Sequence, residues 1–338
     1  RALAGTSPDC DVPPLDVLEL RGGIFRDNRW ARSPTQPTIV CTTIDQLGSR
    51  LLFRGYGVSP NAAPIPAALI AYDSLILLDE AHISNPFLET LANVRRYTDP
   101  EKWAEQSIGV PPLVVVPMTA TPPAGVDRDA VISLDDADRD NESLDNRLRA
   151  SKPARLVTVT DVTSSILTEA KRLVTGEPKA VGVIVNRVAA AREVCDGLRK
   201  QHPDSVVELV IGSMRPIDRD EQSERLRRIV GPTPRPDTAQ TSFVMATQCL
   251  EVGADYDFDV LITECASLDA LRQRFGRLNR GGRPIEAEAL IVMQKKAVKA
   301  EAKLKDDNRE DPIYGKALAR TWNWLTAHAK EEVVDFGI

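Results

Sequence analysis

Asp79 and Glu80 follow the apolar run Leu75–Leu78, and Ala81 and His82 complete a DEAH run. Four apolar residues in a row predict a buried strand, and parallel sheets bind ligands at the carboxyl ends of their strands. Buried carboxylates need a cation or a proton donor. Nucleotide hydrolysis supplies both, since one acid holds Mg²⁺ and the next orients and deprotonates the attacking water. We therefore assign Asp79 to the metal, Glu80 to the water and His82 to contacts with other nucleotide-facing segments; for the acidic pair alone, the alternative is a polar helix cap.

A second set of reactive side chains lies in the run QRFGRLNRGG, which begins at Gln273. Gln273, Arg277 and Arg280 occur at intervals of four and three residues, which on a helix places them on one face. Guanidinium groups are planar, permanently charged and bidentate, so they suit phosphate. We predict that Arg277 and Arg280 act on the γ-phosphate of a nucleotide. The alternative is a solvated basic helix end, and this is the interpretation we prefer for Arg274 and Arg283.

A pair of threonines, Thr119 and Thr121, lies just past the apolar run 113–116. Hydroxyl groups at the end of a strand can donate and accept hydrogen bonds across a domain boundary. Because the pair follows the DEAH strand in the sequence, we predict that it couples the nucleotide site to the neighbouring domain. Alone, it would indicate an ordinary Thr-Pro turn.

The segment ATQCLEVGAD spans residues 246–255 and follows another apolar run. Thr247 and Gln248 come directly after that predicted strand, where they can touch a nucleic-acid backbone. Gly253 permits a tight turn, and Asp255 could couple nucleotide binding to nucleic-acid binding. We therefore place Gly253 and Asp255 at the nucleotide, although Gly253 taken singly indicates only a turn.

Short apolar runs alternate with helical patterns along the chain. This alternation predicts an α/β fold with parallel β-sheets flanked by helices. The predicted strands are residues 38–42, 74–79, 113–118, 156–160, 181–186, 206–211, 242–246, 259–263 and 289–293. The predicted helices are residues 44–53, 86–97, 164–174, 188–200, 218–230 and 268–275.

Acidic residues concentrate between positions 127 and 145. A solvated segment with little to bury is typical of a domain junction, so we place the boundary near residue 150. The predicted organisation is a first domain at 1–150, a second at 151–295 and a C-terminal helical extension at 296–338.

The composition excludes several classes of protein. A formal net charge of −6 excludes a wholly basic nucleic-acid binder but not a local basic groove. The uncharged stretch 55–72 contains three prolines and does not predict a membrane span. The five cysteines form no C-x-x-C pair, which argues against a zinc ribbon. Without a secretory signal, the scattered cysteines predict a cytoplasmic location.

Three blocks resemble superfamily 2 helicases: LILLDEAH, MTATPP and ATQCLEVGADYDFDVL with LRQRFGRLNRGG. More narrowly, the chain resembles the CRISPR-associated helicase–nuclease of type I systems. The block CTTIDQLGSRLL, which begins at Cys41, resembles that family's strand followed by TxDQ. The runs LRGG and RLLFRGYGVS resemble its subtype G (formerly U) branch. The resemblance covers roughly residues 20–295.

The resemblance implies two RecA-like domains that clamp ATP and Mg²⁺ and move single-stranded DNA in the 3′-to-5′ direction. It implies a CRISPR RNA-guided surveillance complex as partner, in antiviral defence. Contacts between a protein and the sugar–phosphate backbone position a DNA strand without reading its sequence. The implied DNA-facing residues are Arg21, Thr42, Thr43, Gln46 and Arg50 in the first domain, and Asn186, Arg187, Thr247 and Gln248 in the second. A local alternative is that Thr43 and Asp45 cap a helix beginning at Ile44.

The sequence departs from that family in two respects. It contains no G-x-x-x-x-G-K-[ST] loop, whose amides and lysine would cradle the phosphates, and no HD nuclease domain. We expect the Walker A segment and first strand to precede Arg1, leaving the first domain incomplete at its N-terminus. The nuclease domain would lie elsewhere in the parent protein, and this chain alone would be inactive. Two alternatives stay open: another superfamily 2 helicase or translocase of RNA or DNA, and a helicase-derived binding module that does not hydrolyse ATP.

Overall fold

The chain divides into two compact units, Arg1–Ser133 and Leu134–Ile338. The structure is a computed structural model that describes residues 15–20, 29–98, 109–119, 131–212, 214–231, 240–251, 255–302 and 311–337. Arg21, Thr121 and Gly253 lie outside these ranges. Within the same ranges, no helix combines the length and the apolar character needed to cross a bilayer.

The division between the units falls inside the acidic segment, earlier than the boundary predicted near residue 150. Its acids form local structure: Asp135 and Asp138 build a capping box around the 3-10 turn Asp136–Asp140. The amide group of Asn141 then caps helix α5, Glu142–Arg149, by accepting from the Leu144 amide. Acidic and amide side chains stabilise helix starts by satisfying unpaired N–H groups, so these residues open the second unit.

The first unit contains two separate pairs of parallel strands. Strand β1, Asp16–Leu20, pairs with β2, Thr38–Thr42. Strand β3, Leu75–Leu78, pairs with β4, Val114–Pro117. The helices of this unit are α1, Arg29–Arg32; α2, Ile44–Leu51; α3, Pro64–Ala71; and α4, Asn85–Thr98.

Strand β3 is buried on one face only, which corrects the prediction of a fully buried strand. Ile76 and Leu78 pack with Leu91 and Leu113 in the core of the unit. Leu75 and Leu77, however, are 63% and 59% exposed. Successive side chains of a strand point to opposite faces, so an uninterrupted apolar run does not by itself establish that both faces are covered.

The second unit is built on a seven-stranded sheet with the order β11-β5-β10-β9-β6-β8-β7. Its strands are β5, Pro153–Val159; β6, Ala180–Ile184; β7, Val206–Val210; β8, Ser242–Ala246; β9, Val260–Glu264; β10, Glu288–Gln294; and β11, Val333–Asp335. Its further helices are α6, Val162–Leu173; α7, Val188–Gln201; α8, Pro216–Val230; α9, Leu268–Phe275; α10, Lys295–Ala302; and α11, Ala317–His328. In the spatial order β5-β10-β9-β6-β8-β7, every neighbouring pair of strands is parallel. Hydrophobic clusters form around these strands. Here β6 and β8 are buried along their whole length, as predicted for covered parallel strands.

The last part of the chain is integrated into this unit. Leu318, Trp322 and Leu325 of α11 pack into the hydrophobic cluster that contains Phe275 of α9. Strand β11 pairs antiparallel with β5 at the edge of the sheet. The described part of the predicted extension at 296–338 therefore contributes both core and sheet to the second unit.

Candidate functional site

The DEAH run begins directly after β3, with the Asp79 side chain exposed. Its Oδ1 accepts a hydrogen bond from the Glu80 amide at 2.9 Å. Glu80 has φ 49° and ψ 45°, in the left-handed region. This conformation costs a non-glycine residue about 1–2 kcal/mol and recurs at functional sites. The chain then enters a 3-10 turn over Ala81–Ile83, and the turn brings His82 back towards Glu80.

His82 links the DEAH run to the segment after β4. Its Nδ1 lies 3.1 Å from Thr119 Oγ1 and 3.5 Å from Glu80 Oε2. The backbones are also joined, because the Ala81 amide donates to the Met118 carbonyl at 3.0 Å. The acid assigned to water activation and the threonine assigned to interdomain coupling therefore share one histidine.

Three residues of the first unit that were predicted to contact nucleic acid, Thr42, Thr43 and Gln46, lie at the end of β2 and the start of α2. Thr43 is the N-terminal cap residue of α2 but makes no side-chain capping hydrogen bond. The helix does begin at Ile44 as predicted, whereas the proposed capping role of the Thr43 hydroxyl is not realised. Thr42 and Gln46 are half-buried, and Thr43 is exposed.

Arg50 does not lie as the sequence interpretation expected. Its side chain is only 2% exposed, and Nη1 donates to the Gln46 carbonyl at 2.9 Å and to Gln46 Oε1 at 2.6 Å. The described contacts of this guanidinium are therefore internal to α2, and its assignment to nucleic acid stays a prediction. Its position on the last turn of α2 turns it inward, which helical spacing alone could not reveal.

We accordingly expect the main effect of Arg50→Ala to be a loss of stability and not a loss of nucleic-acid binding. Loss of hydrogen bonds from a buried charged donor should lower the free energy of unfolding by about 1.5–3 kcal/mol. Urea unfolding of the 338-residue chain measures this. Exposed Arg54 is the matched control, and equal stability losses in Arg50→Ala and Arg54→Ala would contradict the buried role.

The arginine-rich run leaves the helix earlier than the argument from helical spacing required. Helix α9 ends at Phe275, and the backbone is left-handed at Asn279 with φ 39°. Arg277 and Arg280 therefore lie in a turn, so the one-face argument does not hold for them. Gln273, on α9 itself, is half-buried.

The two proposed phosphate-binding arginines have different surroundings. Arg277 is 9% exposed, and its Nη2 donates to the Glu251 carbonyl at 3.1 Å. Arg280 is more accessible, and its Nε lies 2.7 Å from Asp255 Oδ1 in an ion pair. Asp255 is itself exposed, so this pair is an accessible charged group of the second unit.

Arg274 is fully buried, which corrects its assignment to a solvated helix end. We call the residues that surround it the Arg274 cluster: Arg274, Asn186, Gln248, Glu251, Thr263, Glu264 and Tyr314. Arg274 donates twice to Glu251 Oε1, from Nε at 2.9 Å and from Nη2 at 2.7 Å. Its Nη1 donates to Thr263 Oγ1 at 2.8 Å and to the Glu264 carbonyl at 2.9 Å. A buried guanidinium is tolerated because its donors are satisfied in this way.

Arg283 also differs from its predicted solvated state. It forms ion pairs with Asp257 Oδ2 at 2.9 Å and with Asp259 Oδ1 at 2.6 Å. Burial acts to lower the pKa of Arg283, but hydrogen bonds and charge from the two aspartates outweigh it and raise the pKa. Asp257 Oδ1 also accepts the Arg280 amide at 2.8 Å, so Arg283 helps to fix the turn that carries Arg280.

The residues of the second unit that were predicted to contact nucleic acid divide into an accessible group and a buried group. Arg187 is exposed and Gln248 half-buried. Asn186 and Thr247 are buried, and their assignment to nucleic-acid contacts stays a prediction. Asn186 Nδ2 donates to the Cys265 carbonyl at 2.7 Å, and its Oδ1 accepts from Arg274 Nη2 at 3.1 Å.

Four members of the Arg274 cluster were missed as site residues at the sequence level: Glu251, Thr263, Glu264 and Tyr314. Glu251 gave a weak signal, as an acid between the apolar residues Leu250 and Val252. Glu264 ends β9, and its amide-facing carboxylate accepts the Asn186 N–H at 2.8 Å, while burial raises its pKa. Tyr314 gave no signal, because nothing in its neighbouring residues indicates a distant partner.

Glu251→Gln should be strongly destabilising, because it removes the carboxylate that receives two bonds from buried Arg274. Breaking a buried charge pair costs about 3–5 kcal/mol, which urea unfolding of the whole chain would detect. Glu224 provides a control, since it is 57% exposed and pairs with Arg227 and Arg228 on the surface of α8. Glu224→Gln should cost only about 0.2–1 kcal/mol. Indistinguishable losses would mean that the Arg274–Glu251 pair adds nothing to stability.

The second unit is thus a parallel α/β sheet with polar and charged side chains at the carboxyl ends of its strands. Residues 177–283 match the family described as "CRISPR-associated nuclease/helicase Cas3, C-terminal". A protein of that name from Streptococcus thermophilus is 35% identical over 101 residues, which is 30% of this chain and 11% of the relative. The matched region holds the Arg274 cluster apart from Tyr314.

Solved structures agree on the fold. The T. fusca Cas3–ATP crystal structure matches with a TM-score of 0.59 at 16% identity, over 93% of this chain and 40% of that chain. A chain of a CRISPR RNA-guided surveillance complex in a pre-nicking state matches with a TM-score of 0.50 at 19% identity, over 93% of this chain and 42% of that chain. The predicted α/β fold and the resemblance to CRISPR-associated helicases are thereby confirmed. The chain spans well under half the length of each of these proteins.

Proposed function

We propose that this chain is the helicase portion of an ATP-dependent translocase of single-stranded DNA that acts with a CRISPR RNA-guided surveillance complex in antiviral defence. The observation that carries the proposal is the Glu80–His82–Thr119 arrangement at the end of β3, in a chain whose residues 177–283 match the Cas3 C-terminal family. The proposed location is the cytoplasm, where such a complex would meet its DNA.

In this proposal Asp79 holds Mg²⁺ and Glu80 accepts a proton from the attacking water. Mg²⁺ keeps several waters and takes one or two carboxylates plus substrate phosphates, so one exposed carboxylate fits that ion. Among the described residues, no group of three or more His, Cys, Asp and Glu side chains could hold a metal. When bound, Mg²⁺ would neutralise charge on the phosphates of ATP.

The other residues complete the nucleotide site as proposed roles. Arg277 and Arg280 stabilise charge on the γ-phosphate, and Gln273 assists them from α9. Gly253 and Asp255 line the nucleotide from the second unit. Thr119 and Thr121 couple the site to the neighbouring domain, with His82 as the link on the Glu80 side.

For the nucleic acid, the exposed and half-buried members of the predicted set carry the proposal. These are Thr42, Thr43, Gln46, Arg187 and Gln248. They are hydroxyl, amide and guanidinium groups, which suit phosphate and sugar and do not select bases. Arg50, Asn186 and Thr247 act behind them as supporting residues.

ATP binding also requires a phosphate-cradling loop, and the 338 residues contain no G-x-x-x-x-G-K-[ST] sequence. We propose that the Walker A segment and the nuclease domain belong to other parts of a parent protein. The term complete protein below means this chain together with the segment carrying that loop.

A second candidate is a nucleic-acid-binding module that does not hydrolyse ATP, which the missing loop favours. A G-K-T loop encoded in frame upstream of Arg1 would support the translocase. A start codon directly upstream, with no such loop on a partner chain, would support the binding module.

The decisive experiment measures ATP turnover by the complete protein with single-stranded DNA, single-stranded RNA or no nucleic acid. We expect stimulation by DNA and weak stimulation by RNA. Stimulation by RNA alone would identify a different superfamily 2 helicase, and no turnover under any condition would favour the binding module.

A further inference from the structure

We propose that Tyr314 is a positioning residue that couples Gln248, a proposed nucleic-acid contact, to helix α9. In this role, the C-terminal segment 311–337 supports the helix that carries Gln273 and precedes the phosphate-binding arginines. The inference rests on the proposed function and deepens it, because it names a device that transmits strand binding to the nucleotide site.

The Tyr314 hydroxyl joins two ligand-facing elements. It accepts a hydrogen bond from Arg274 Nη2 at 2.9 Å and lies 3.4 Å from Gln248 Nε2. Gln248 Nε2 also donates to the Asn186 carbonyl at 3.0 Å. Gln248 therefore has one amide group shared between the loop after β6 and the Tyr314 hydroxyl.

These contacts lie where a coupling device is needed. Asn186 follows β6, Gln248 follows β8 and Arg274 lies on the helix after β9. The carboxyl ends of parallel strands meet at one edge of a sheet, where ligands bind. Tyr314 thus connects the segment after β8 with helix α9 directly, and reaches the segment after β6 through Gln248 and Arg274, which both bond Asn186.

The turn that presents Tyr314 is itself well defined. Asp311 Oδ1 accepts the Tyr314 amide at 2.7 Å, and the Gly315 amide donates to the Asp311 carbonyl at 2.8 Å. Gly315 has φ 53°, a value that glycine adopts without steric cost. Burial raises the pKa of Tyr314, so the hydroxyl stays protonated at neutral pH and can donate as well as accept.

A second contact joins the C-terminal segment to α9. The rings of Phe336 and Phe275 are stacked, with centroids 3.9 Å apart and an interplanar angle of 9°. Phe275 is the last residue of α9, and its carbonyl accepts from Lys152 Nζ at 3.1 Å. The C-terminal segment therefore contacts two consecutive residues of the helix, Arg274 through a hydroxyl and Phe275 through a ring.

This arrangement gives Gln248 a physical route to α9. A strand that draws the Gln248 amide away from Tyr314 changes the donors around the hydroxyl, and Arg274 must respond because it is the other donor. Hydrogen bonds in a buried polar network polarise one another. Loss of the contact between Gln248 and Tyr314 therefore changes the hydrogen bonds of the other residues in the Arg274 cluster. Arg274 lies next to Gln273 and three residues before Arg277 in the sequence.

The test compares the complete wild-type protein with Tyr314→Phe, which removes only the hydroxyl. The control is Tyr256→Phe, because Tyr256 is a buried tyrosine of the same hydrophobic cluster and is not in the Arg274 cluster. ATP turnover is measured without nucleic acid and at saturating single-stranded DNA. We expect Tyr314→Phe to reduce the ratio of stimulated to basal turnover on the order of tenfold, while Tyr256→Phe keeps the wild-type ratio.

A double variant separates coupling from general damage. If the two residues act as one link, Gln248→Ala combined with Tyr314→Phe should lose no more stimulation than the larger single loss. A wild-type ratio in Tyr314→Phe, equal losses in both tyrosine variants, or multiplicative losses in the double variant would each overturn the coupling. Failure of the wild-type protein to respond to DNA would instead overturn the proposed function, and the coupling with it.

Discussion

Arg277→Ala is expected to reduce ATP turnover by the complete protein by about 10³-fold, because a guanidinium on the transferring phosphate stabilises charge that develops in the transition state. ATP affinity should change much less than turnover, since the interaction strengthens as the bond to the γ-phosphate breaks. Steady-state turnover at saturating DNA, with ATP binding measured separately, tests this. Arg272→Ala is the matched control, because Arg272 is an exposed arginine of α9, the helix that precedes the turn with Arg277.

The structure supplies a competing explanation that the experiment must separate. Arg277 donates to the carbonyls of Leu250 and Glu251, so its loss could act by loosening that backbone. Arg277→Lys distinguishes the two roles, since an ammonium can still donate to a carbonyl but cannot form the bidentate phosphate contact. If Arg277 contacts the γ-phosphate, Arg277→Lys should restore little of the turnover that Arg277→Ala loses. Substantial recovery with Lys, or a loss below about tenfold in Arg277→Ala, would assign Arg277 to backbone support.

Glu80→Gln should leave ATP binding intact and reduce turnover by about 10²- to 10⁴-fold, the usual contribution of a general base. Glutamine keeps the size of the side chain and an oxygen atom near His82, but it cannot accept the proton of the attacking water. Single-turnover hydrolysis with bound ATP measures the chemical step directly. Glu89→Gln makes the same change at an exposed position of α4 and should behave as wild type.

Glu80→Gln can also be tested by its stability, a measurement that does not depend on activity. Its left-handed backbone should be retained in Glu80→Gln, so the variant should unfold at the same urea concentration as the wild type. Normal hydrolysis by a folded Glu80→Gln protein would remove Glu80 from water activation and leave the DEAH run without a base.

The sequence predicted the parts of the fold that depend on local patterns. Helix α9 ends at Phe275, as its periodicity indicated, and β6 and β8 are the continuous apolar strands of a covered parallel sheet. The same pattern misjudged β3, because Leu75 and Leu77 are exposed. An apolar run reports the character of both faces of a strand, whereas burial depends on what packs against each face.

The candidate site was predictable where its residues are neighbours in the sequence. The DEAH run is one such case, and its local contacts follow from a short turn. Arg274 shows the opposite case, because the partners that make its burial tolerable are Asn186, Glu251 and Tyr314, which are distant in the chain. Arg50 and Arg274 were both misplaced, since charge favours a surface position unless specific buried partners exist, and a single sequence does not show which distant groups meet.

The antiparallel strand β11 has a topological consequence. Because it lies beside β5, with the Phe336 amide bonded to the Lys152 carbonyl at 3.1 Å and Asp335 accepting the Lys152 amide at 2.7 Å, the sheet of the second unit starts and finishes at the same corner. Neighbouring ends are the geometry that tolerates circular permutation. The two edge segments of the sheet therefore hold each other in place at this corner.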